Sequence, residues 1–257
     1  MSSYDALVVR LRAAGCVYAE EEARHLLDAG GDLEALVVRR EAGEPLEWIV
    51  GWAAFTDEAG DGVRVSVAPG VFIPRGRTVE LALAAEELLP ADGVLLDLCC
   101  GSGAIAAFLH HRLPGTTVHA ADIDPVAVAC ARENLPFGSV HVGDLFAPLP
   151  DSLRGTVDVI TANTPYVPSS KVALMPGEAK DFEPLHTLDG GPDGLALLRR
   201  VAAGAPTWLR PGGSVLIELH ESQYDAASAV FEHAGLDVTA RIDPDGTTVI
   251  IGTTSSG

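Results

Sequence analysis

Apolar residues recur at helical spacing over residues 4 to 43 (Leu7 and Leu11; Ala23, Leu26 and Leu27; Leu33, Leu36 and Val37), with breaks at Gly15 and Gly30-Gly31. This pattern predicts a small helical cap. The period then changes: Trp52-Ala53-Ala54-Phe55 and Val63-Arg64-Val65-Ser66-Val67 read as extended stretches around a hairpin loop, Asp57-Glu58-Ala59-Gly60-Asp61-Gly62. After Pro74, strand and helix patterns alternate. Strands are expected at Val94–Leu98, Thr117–Ile123, Val140–Val142, Val157–Ala162 and, after the turn Pro211-Gly212-Gly213, at Ser214–Leu219. Helices are expected at Ala104–Leu113, Pro125–Leu135, Leu195–Leu209 and Tyr224–His233. Such alternation calls for parallel strands joined by right-handed crossovers. Only Asp243-Pro244-Asp245-Gly246-Thr247 separates Val238–Ile242 from Thr248–Ile251, too little for a crossover helix, so the last two strands are expected to be antiparallel. The expected fold class is α/β, a doubly wound, mostly parallel seven-stranded sheet with an antiparallel last strand, plus a small N-terminal helical domain. The boundaries read as a helical cap over 1–47, a hairpin linker over 48–73 and the sheet domain over 74–257.

Composition narrows the partners. With 36 acidic and 17 basic residues the formal charge is −19, a field that repels phosphate backbones and anionic membrane surfaces, so no direct DNA binding is expected. The amino terminus has no basic region followed by an apolar stretch, and no apolar run approaches the roughly 20 residues of a membrane span, so a soluble, cytoplasmic protein is expected. Cys16, Cys99, Cys100 and Cys130 fit no zinc-type spacing and read as thiols, and the eight histidines offer no ligand pattern; no metal is implied.

Two segments carry the candidate chemistry. Asp97-Leu98-Cys99-Cys100-Gly101-Ser102-Gly103-Ala104 lies where a strand turns into a helix, so its glycines let the backbone approach a ligand at the helix N-terminus. A nucleotide-like cofactor is indicated. Asp122 closes the next strand, where a carboxylate holds ribose hydroxyls in doubly wound folds, and Asp144, beside Leu145, closes the third. Gly101, Gly103 and Ala106 with Asp122 also match the dinucleotide fingerprint of a nicotinamide-dependent oxidoreductase. The second segment, Asn163-Thr164-Pro165-Tyr166, follows the strand Val157–Ala162. There a side-chain amide oxygen and a backbone carbonyl can each accept one N–H of a planar NH₂ group, with an aromatic ring covering its face.

Acidic residues at three successive strand ends, together with this amide clamp, resemble the class I S-adenosylmethionine-dependent methyltransferases. Within them the chain resembles the protein-(glutamine-N(5)) methyltransferases, the group that includes release factor glutamine methyltransferase. The segments that carry the likeness are Gly43-Glu44-Pro45-Leu46, Phe72-Ile73-Pro74-Arg75, Asn163-Thr164-Pro165-Tyr166, Phe182-Glu183-Pro184-Leu185 and Leu188-Asp189-Gly190-Gly191-Pro192-Asp193-Gly194-Leu195. The resemblance implies S-adenosyl-L-methionine as cofactor, bound by Asp97, Cys99, Gly101, Gly103, Asp122, Asp144, Leu145 and Asn163. It implies methyl transfer at Asn163, Thr164, Pro165 and Tyr166, and a substrate pocket shaped by Pro74, Phe182 and Glu183. The implied partner is a protein presenting an exposed glutamine, such as a class I peptide chain release factor. An amino-methyltransferase acting on a nucleic acid or small molecule would share the clamp, and a non-catalytic binding module would share the cofactor pocket. Four departures from the family pattern fall where ligand or substrate is met. Thr164 replaces the first proline of N-P-P-Y, and Cys99 replaces the first glycine of the cofactor turn. Gly76-Arg77-Thr78-Val79 brings a positive charge and a valine where the family shows acidic residues around a threonine. The cap is shorter than the family norm.

Overall fold

In this computed structural model the described residues are 3–244 and 246–256, without the side chains of 178 and 179; Met1, Ser2, Gly257 and Asp245 of the expected final turn lie outside them. Helices α1 (Ser3–Ala13), α2 (Ala19–Asp28) and α3 (Leu33–Glu41) form where the apolar spacing places them. They bury Leu7, Leu11, Ala23, Leu26 and Val37 against one another and against Ile49. Asp32 starts α3 by accepting from the Glu34 and Ala35 amides, and Arg10 ties α1 to Glu34 and Glu41 of α3. The short α4 (Leu46–Val50) ends at Gly51, whose φ of 81° is the left-handed turn that glycine permits. Strands β1 (Trp52–Thr56) and β2 (Gly62–Ser66) then pair antiparallel as the expected hairpin. Phe55 of β1 lies edge-on to Phe108, centroids 5.7 Å apart, and so anchors the hairpin to the larger core.

The remaining elements are α5 (Val79–Glu86), β3 (Val94–Leu98), α6 (Ala104–Arg112), β4 (Thr117–Asp122), α7 (Pro125–Asn134), β5 (Ser139–Val142) and β6 (Val157–Ala162). After them come α8 (Ser169–Val172), α9 (Gly177–Phe182), α10 (Ala196–Trp208), β7 (Leu209–His220), α11 (Tyr224–His233), β8 (Asp237–Ile242) and β9 (Thr247–Thr253). Among the described residues seven strands form one sheet in the order β5-β4-β3-β6-β7-β9-β8. All neighbours run parallel except β9, which is antiparallel to both β7 and β8. Alternate residues of the buried strands face opposite layers. Leu95, Val118, Val159 and Leu216 pack under α5 and α6, whereas Leu96, Ala121, Ile160 and Ile217 pack under α10 and α11.

Two expectations need adjustment. The Pro211-Gly212-Gly213 turn lies inside β7 as an irregularity, because the register with β6 jumps from Val157↔Leu209 to Val159↔Ser214 and Gly212 takes φ 74°. Helix α5 was not expected: Val79-Glu80-Leu81-Ala82-Leu83-Ala84-Ala85 is apolar nearly all round, since five of its residues are buried, and so shows no period to read.

Candidate active site

The carboxyl ends of β3, β4, β5, β6 and β7 open on one side of the sheet, onto a cavity of about 280 Å³. That size is near the lower bound of ligand pockets, roughly 300–1,000 Å³. Cys99, Gly101, Asp122, Asp144, Leu145 and all four clamp residues, Asn163, Thr164, Pro165 and Tyr166, line it, as does Pro74. The adjacency follows from register. Leu98 pairs with Ala121 on one side and Ala162 on the other, and Ala162 pairs with Ile217, so the segments leaving these strands emerge side by side.

The cofactor turn is held from both sides. Asp122 accepts hydrogen bonds from the Gly101 amide (2.9 Å, Oδ2) and the Asp124 amide (2.9 Å, Oδ1), so it braces the turn while each oxygen keeps a further lone pair. Burial raises its carboxyl above the usual range in spite of these bonds. Gly101 takes φ 54°, and a Cβ added there would meet nothing within 4 Å; its backbone faces open cavity. Cys99, where glycine is usual, is also left-handed at φ 53°, so the turn kept a glycine conformation without glycine. Burial, with Asp122 and Asp97 adding to it, pushes the Cys99 thiol far up, which keeps it a neutral packing group. Asp97 and Gly103 do not reach the cavity. Asp97 is fully buried, accepts from Thr161 Oγ1 at 2.8 Å, and its carboxyl is pushed up to about 7 by that burial. Gly103 opens α6 at φ 78°, and a side chain there would strike Leu135 at 2.9 Å.

Around the clamp, residues far apart in sequence converge. Asn163 Nδ2 donates to Thr78 Oγ1 at 3.2 Å, which directs Oδ1 the other way. Arg77 Nε donates to Tyr166 Oη (3.0 Å) and Glu218 Oε1 (3.3 Å), and Tyr166 Oη donates to the same Glu218 oxygen at 3.0 Å. Burial and Glu218 raise the Tyr166 hydroxyl further above its ordinary range, so it stays protonated. Burial opposes the charge on Arg77, and Tyr166 and Glu218 together outweigh it. Beneath the clamp, Gln223 Nε2 donates to the carbonyls of Tyr166 and Asp193, both at 3.0 Å. Gly190 and Gly194 sit so close that an added Cβ would fall 2.4 Å from the Pro165 carbonyl oxygen and 2.1 Å from that of Tyr166. The glycine-rich stretch 188–195 is therefore the clamp's floor.

Phe182 and Glu183 are not brought to the cavity. Phe182 meets Trp48 edge-on at 6.5 Å and lies 3.5 Å from where a Cβ on Gly43 would stand. Glu183 is buried and accepts from Arg75 Nη2 at 2.6 Å and from the Ile73 amide at 3.4 Å. Together with Trp48 Nε1, which donates to the Val71 carbonyl at 3.0 Å, they join the helical cap to the segment entering the sheet domain. Sequence reasoning missed Thr78, Glu218 and the placement of Arg77 beside Tyr166. For Glu218 a signal existed, a carboxylate inside the apolar strand run Val215-Leu216-Ile217-Glu218-Leu219.

Residues 62–178 match the family model of the Methyltransferase small domain. The release factor glutamine methyltransferase of Mycolicibacterium smegmatis is 40% identical over 220 residues, covering 83% of this chain and 75% of that one. The chain belongs to the release factor glutamine methyltransferase family. The enzyme of that name from Geobacter sulfurreducens is 34% identical, over 84% of this chain and 75% of its own length. Among solved structures, a methyltransferase from Pyrococcus furiosus shares the fold, with a TM-score of 0.57 at 18% identity over 74% of this chain and 88% of that one. Membership sets aside the nicotinamide-dependent alternative and makes S-adenosylmethionine the cofactor. The cavity suits it: the Gly101 backbone offers close approach, Asp122 and Asp144 offer acceptors for hydroxyl or amino groups, and Ile105, Ile123 and Leu145 offer apolar surface. Among the described residues no helix is long and apolar enough to cross a membrane, and no group of three or more His, Cys, Asp or Glu side chains stands ready for a metal.

Proposed function

We propose that this chain methylates the side-chain amide nitrogen of a glutamine in a class I peptide chain release factor. The observation that carries the proposal is the fixed amide of Asn163. Its Nδ2 is occupied by Thr78 at 3.2 Å, which leaves Oδ1 as an oriented acceptor on the cavity wall beside the Thr164 backbone. S-adenosylmethionine, when bound, supplies an electrophilic sulfonium methyl. The protein's part is positioning, because an amide nitrogen is a poor nucleophile whose lone pair must be aimed. Asn163 Oδ1 and the Thr164 carbonyl each accept one N–H of the acceptor amide, and the Tyr166 ring covers its plane. Pro165 keeps the chain extended at Thr164, so the loss of the family's first proline leaves the accepting carbonyl in place. On the cofactor side, Asp122 and Asp144 take hydroxyl and amino groups, and the Gly101 turn admits the chain close to them. No side chain need act as a general base before transfer.

The test is transfer of labelled methyl from S-adenosylmethionine to a purified class I release factor, with a control in which the glutamine of its Gly-Gly-Gln segment is replaced. Label on the unaltered factor and none on the control supports both reaction and acceptor. Cofactor binding without label on the factor would redirect the search to another amide-bearing substrate.

A further inference from the structure

Glu218 is a buried carboxylate at the cavity with one oxygen left over from its contacts. It is 1% exposed, and although Oε1 collects bonds from Arg77 and Tyr166, Oε2 is buried with no hydrogen-bond partner. A buried carboxylate oxygen without a donor is costly, and one that belongs to a cavity-lining residue can be given its donor by a bound ligand. Its position says which side of the reaction that is. Since Ala162 pairs with Ile217, Asn163 and Glu218 are the next residues on neighbouring strands and leave the sheet on the same face. The order β5-β4-β3-β6-β7 then puts Glu218 one strand beyond the clamp, on the side away from Cys99, Asp122 and Asp144. The cofactor half of the cavity lies on the other side of Asn163. Glu218 also lines the cavity itself.

We infer that Glu218 is an acceptor-binding residue: its free Oε2 shares with Asn163 Oδ1, as a three-centre bond, one N–H of the glutamine carboxamide, while the other N–H goes to the Thr164 carbonyl. This rests on the acceptor assignment proposed above. Arg77 and Tyr166 are positioning residues for it. Their donors both go to Oε1, which fixes the carboxylate plane and leaves Oε2 for the ligand. Arg77 thereby has a reason to stand where the family pattern is acidic: it offsets the buried charge, while its half-exposed guanidinium stays in contact with water.

The test uses the full chain with labelled S-adenosylmethionine and a class I release factor, and compares Glu218→Gln, Tyr166→Phe and the double variant. Glu218→Gln is nearly isosteric and replaces the accepting oxygen by a donor, so kcat/KM for the release factor should fall roughly tenfold to a hundredfold, the scale of a hydrogen bond to a charged group. Cofactor affinity, measured by calorimetry, should not change. The same fold loss should persist in the Tyr166→Phe background, because Glu218 touches the acceptor directly. If Glu218→Gln costs nothing once Tyr166→Phe is present, Glu218 acts only through Tyr166 and the inference is overturned. Full activity of Glu218→Gln alone overturns it as well. Should Glu218→Gln fail to fold, Glu218→Asp, which keeps the charge but withdraws the oxygen, is read the same way. If the unaltered protein transfers no label to the release factor, the acceptor assignment falls and this inference falls with it.

Discussion

Thr78→Val removes one hydroxyl and keeps the shape of the side chain, so it isolates the orientation of the Asn163 amide. Thr78 is 3% exposed, so its hydroxyl is a fixed partner for Asn163 Nδ2. A neutral hydrogen bond of this kind contributes about 0.5–1.5 kcal/mol net. With its restraint gone, the Asn163 amide can turn over and present N–H groups to the N–H groups of the acceptor. At about 1.4 kcal/mol per tenfold, the second-order rate constant for the acceptor should fall roughly two- to tenfold. Thr78→Ser, which keeps the hydroxyl, should retain most of the rate. Initial-rate transfer of labelled methyl at varied acceptor, with cofactor affinity measured separately, is the assay. Equal losses in the valine and serine variants, or no loss in the valine variant, would falsify the oriented-amide account.

Asn163→Ala removes the acceptor itself, so turnover should drop by about 10²–10³, as for loss of a preorganised catalytic donor or acceptor, with most cofactor affinity kept. Calorimetry alongside the rate assay checks both halves. Arg75→Met takes away the guanidinium that holds buried Glu183, and chemical denaturation should show a stability loss of about 3 kcal/mol, the low end for breaking a buried pair because Arg75 is partly solvated. Asp97 sets a pH dependence. Burial pushes its folded carboxyl up to about 7, against about 3.9 for the unfolded one, so between those values the folded chain holds a proton that the unfolded chain has released. Stability must therefore decline as pH rises from about 4 to 7 and level off above, by at most about 4 kcal/mol from this group. Denaturant titrations of the unaltered protein and Asp97→Asn across that range should differ by this slope; parallel curves would show Asp97 ionised in the fold.

Much of the fold was legible because its buried strands are bounded by glycine, proline and charge. β3 and β6 occupy the expected residues, and α11 does too. Helices α8 and α9 escaped notice because they are short, with polar residues among them and no repeating apolar face. At the site, the residues read from local chemistry arrived together: the clamp, the glycine turn and the strand-end carboxylates all follow strands, and register brings those ends side by side. Thr78 and Arg77 did not announce themselves, since their meaning lies in contacts with Asn163 and Tyr166, 85 and 89 residues away. Phe182 and Glu183 were placed in the pocket by resemblance, which identifies residues that are kept without saying what they touch. Their contacts put them between the α3–α4 region and residues 73–75.

The order of strand ends also says how perturbations should divide. Asp144 follows β5, Asp122 ends β4, the Cys99–Gly101 turn follows β3, Asn163 follows β6, and Glu218 ends the row on β7. At about 4.8 Å between strands the row spans roughly 19 Å, so one ligand atom cannot feel both ends. Methyl transfer must occur where the two ligands meet, and the clamp proposed above would put that meeting at β6. Changes at the β4 and β5 ends should therefore weaken cofactor binding and leave the acceptor KM alone, whereas changes on β7 should do the reverse. Only at β6 should kcat fall with both affinities nearly intact. A variant at Asp122 that raised the acceptor KM as strongly as Glu218→Gln would mean that the two halves overlap, and the strand-by-strand division would have to be abandoned.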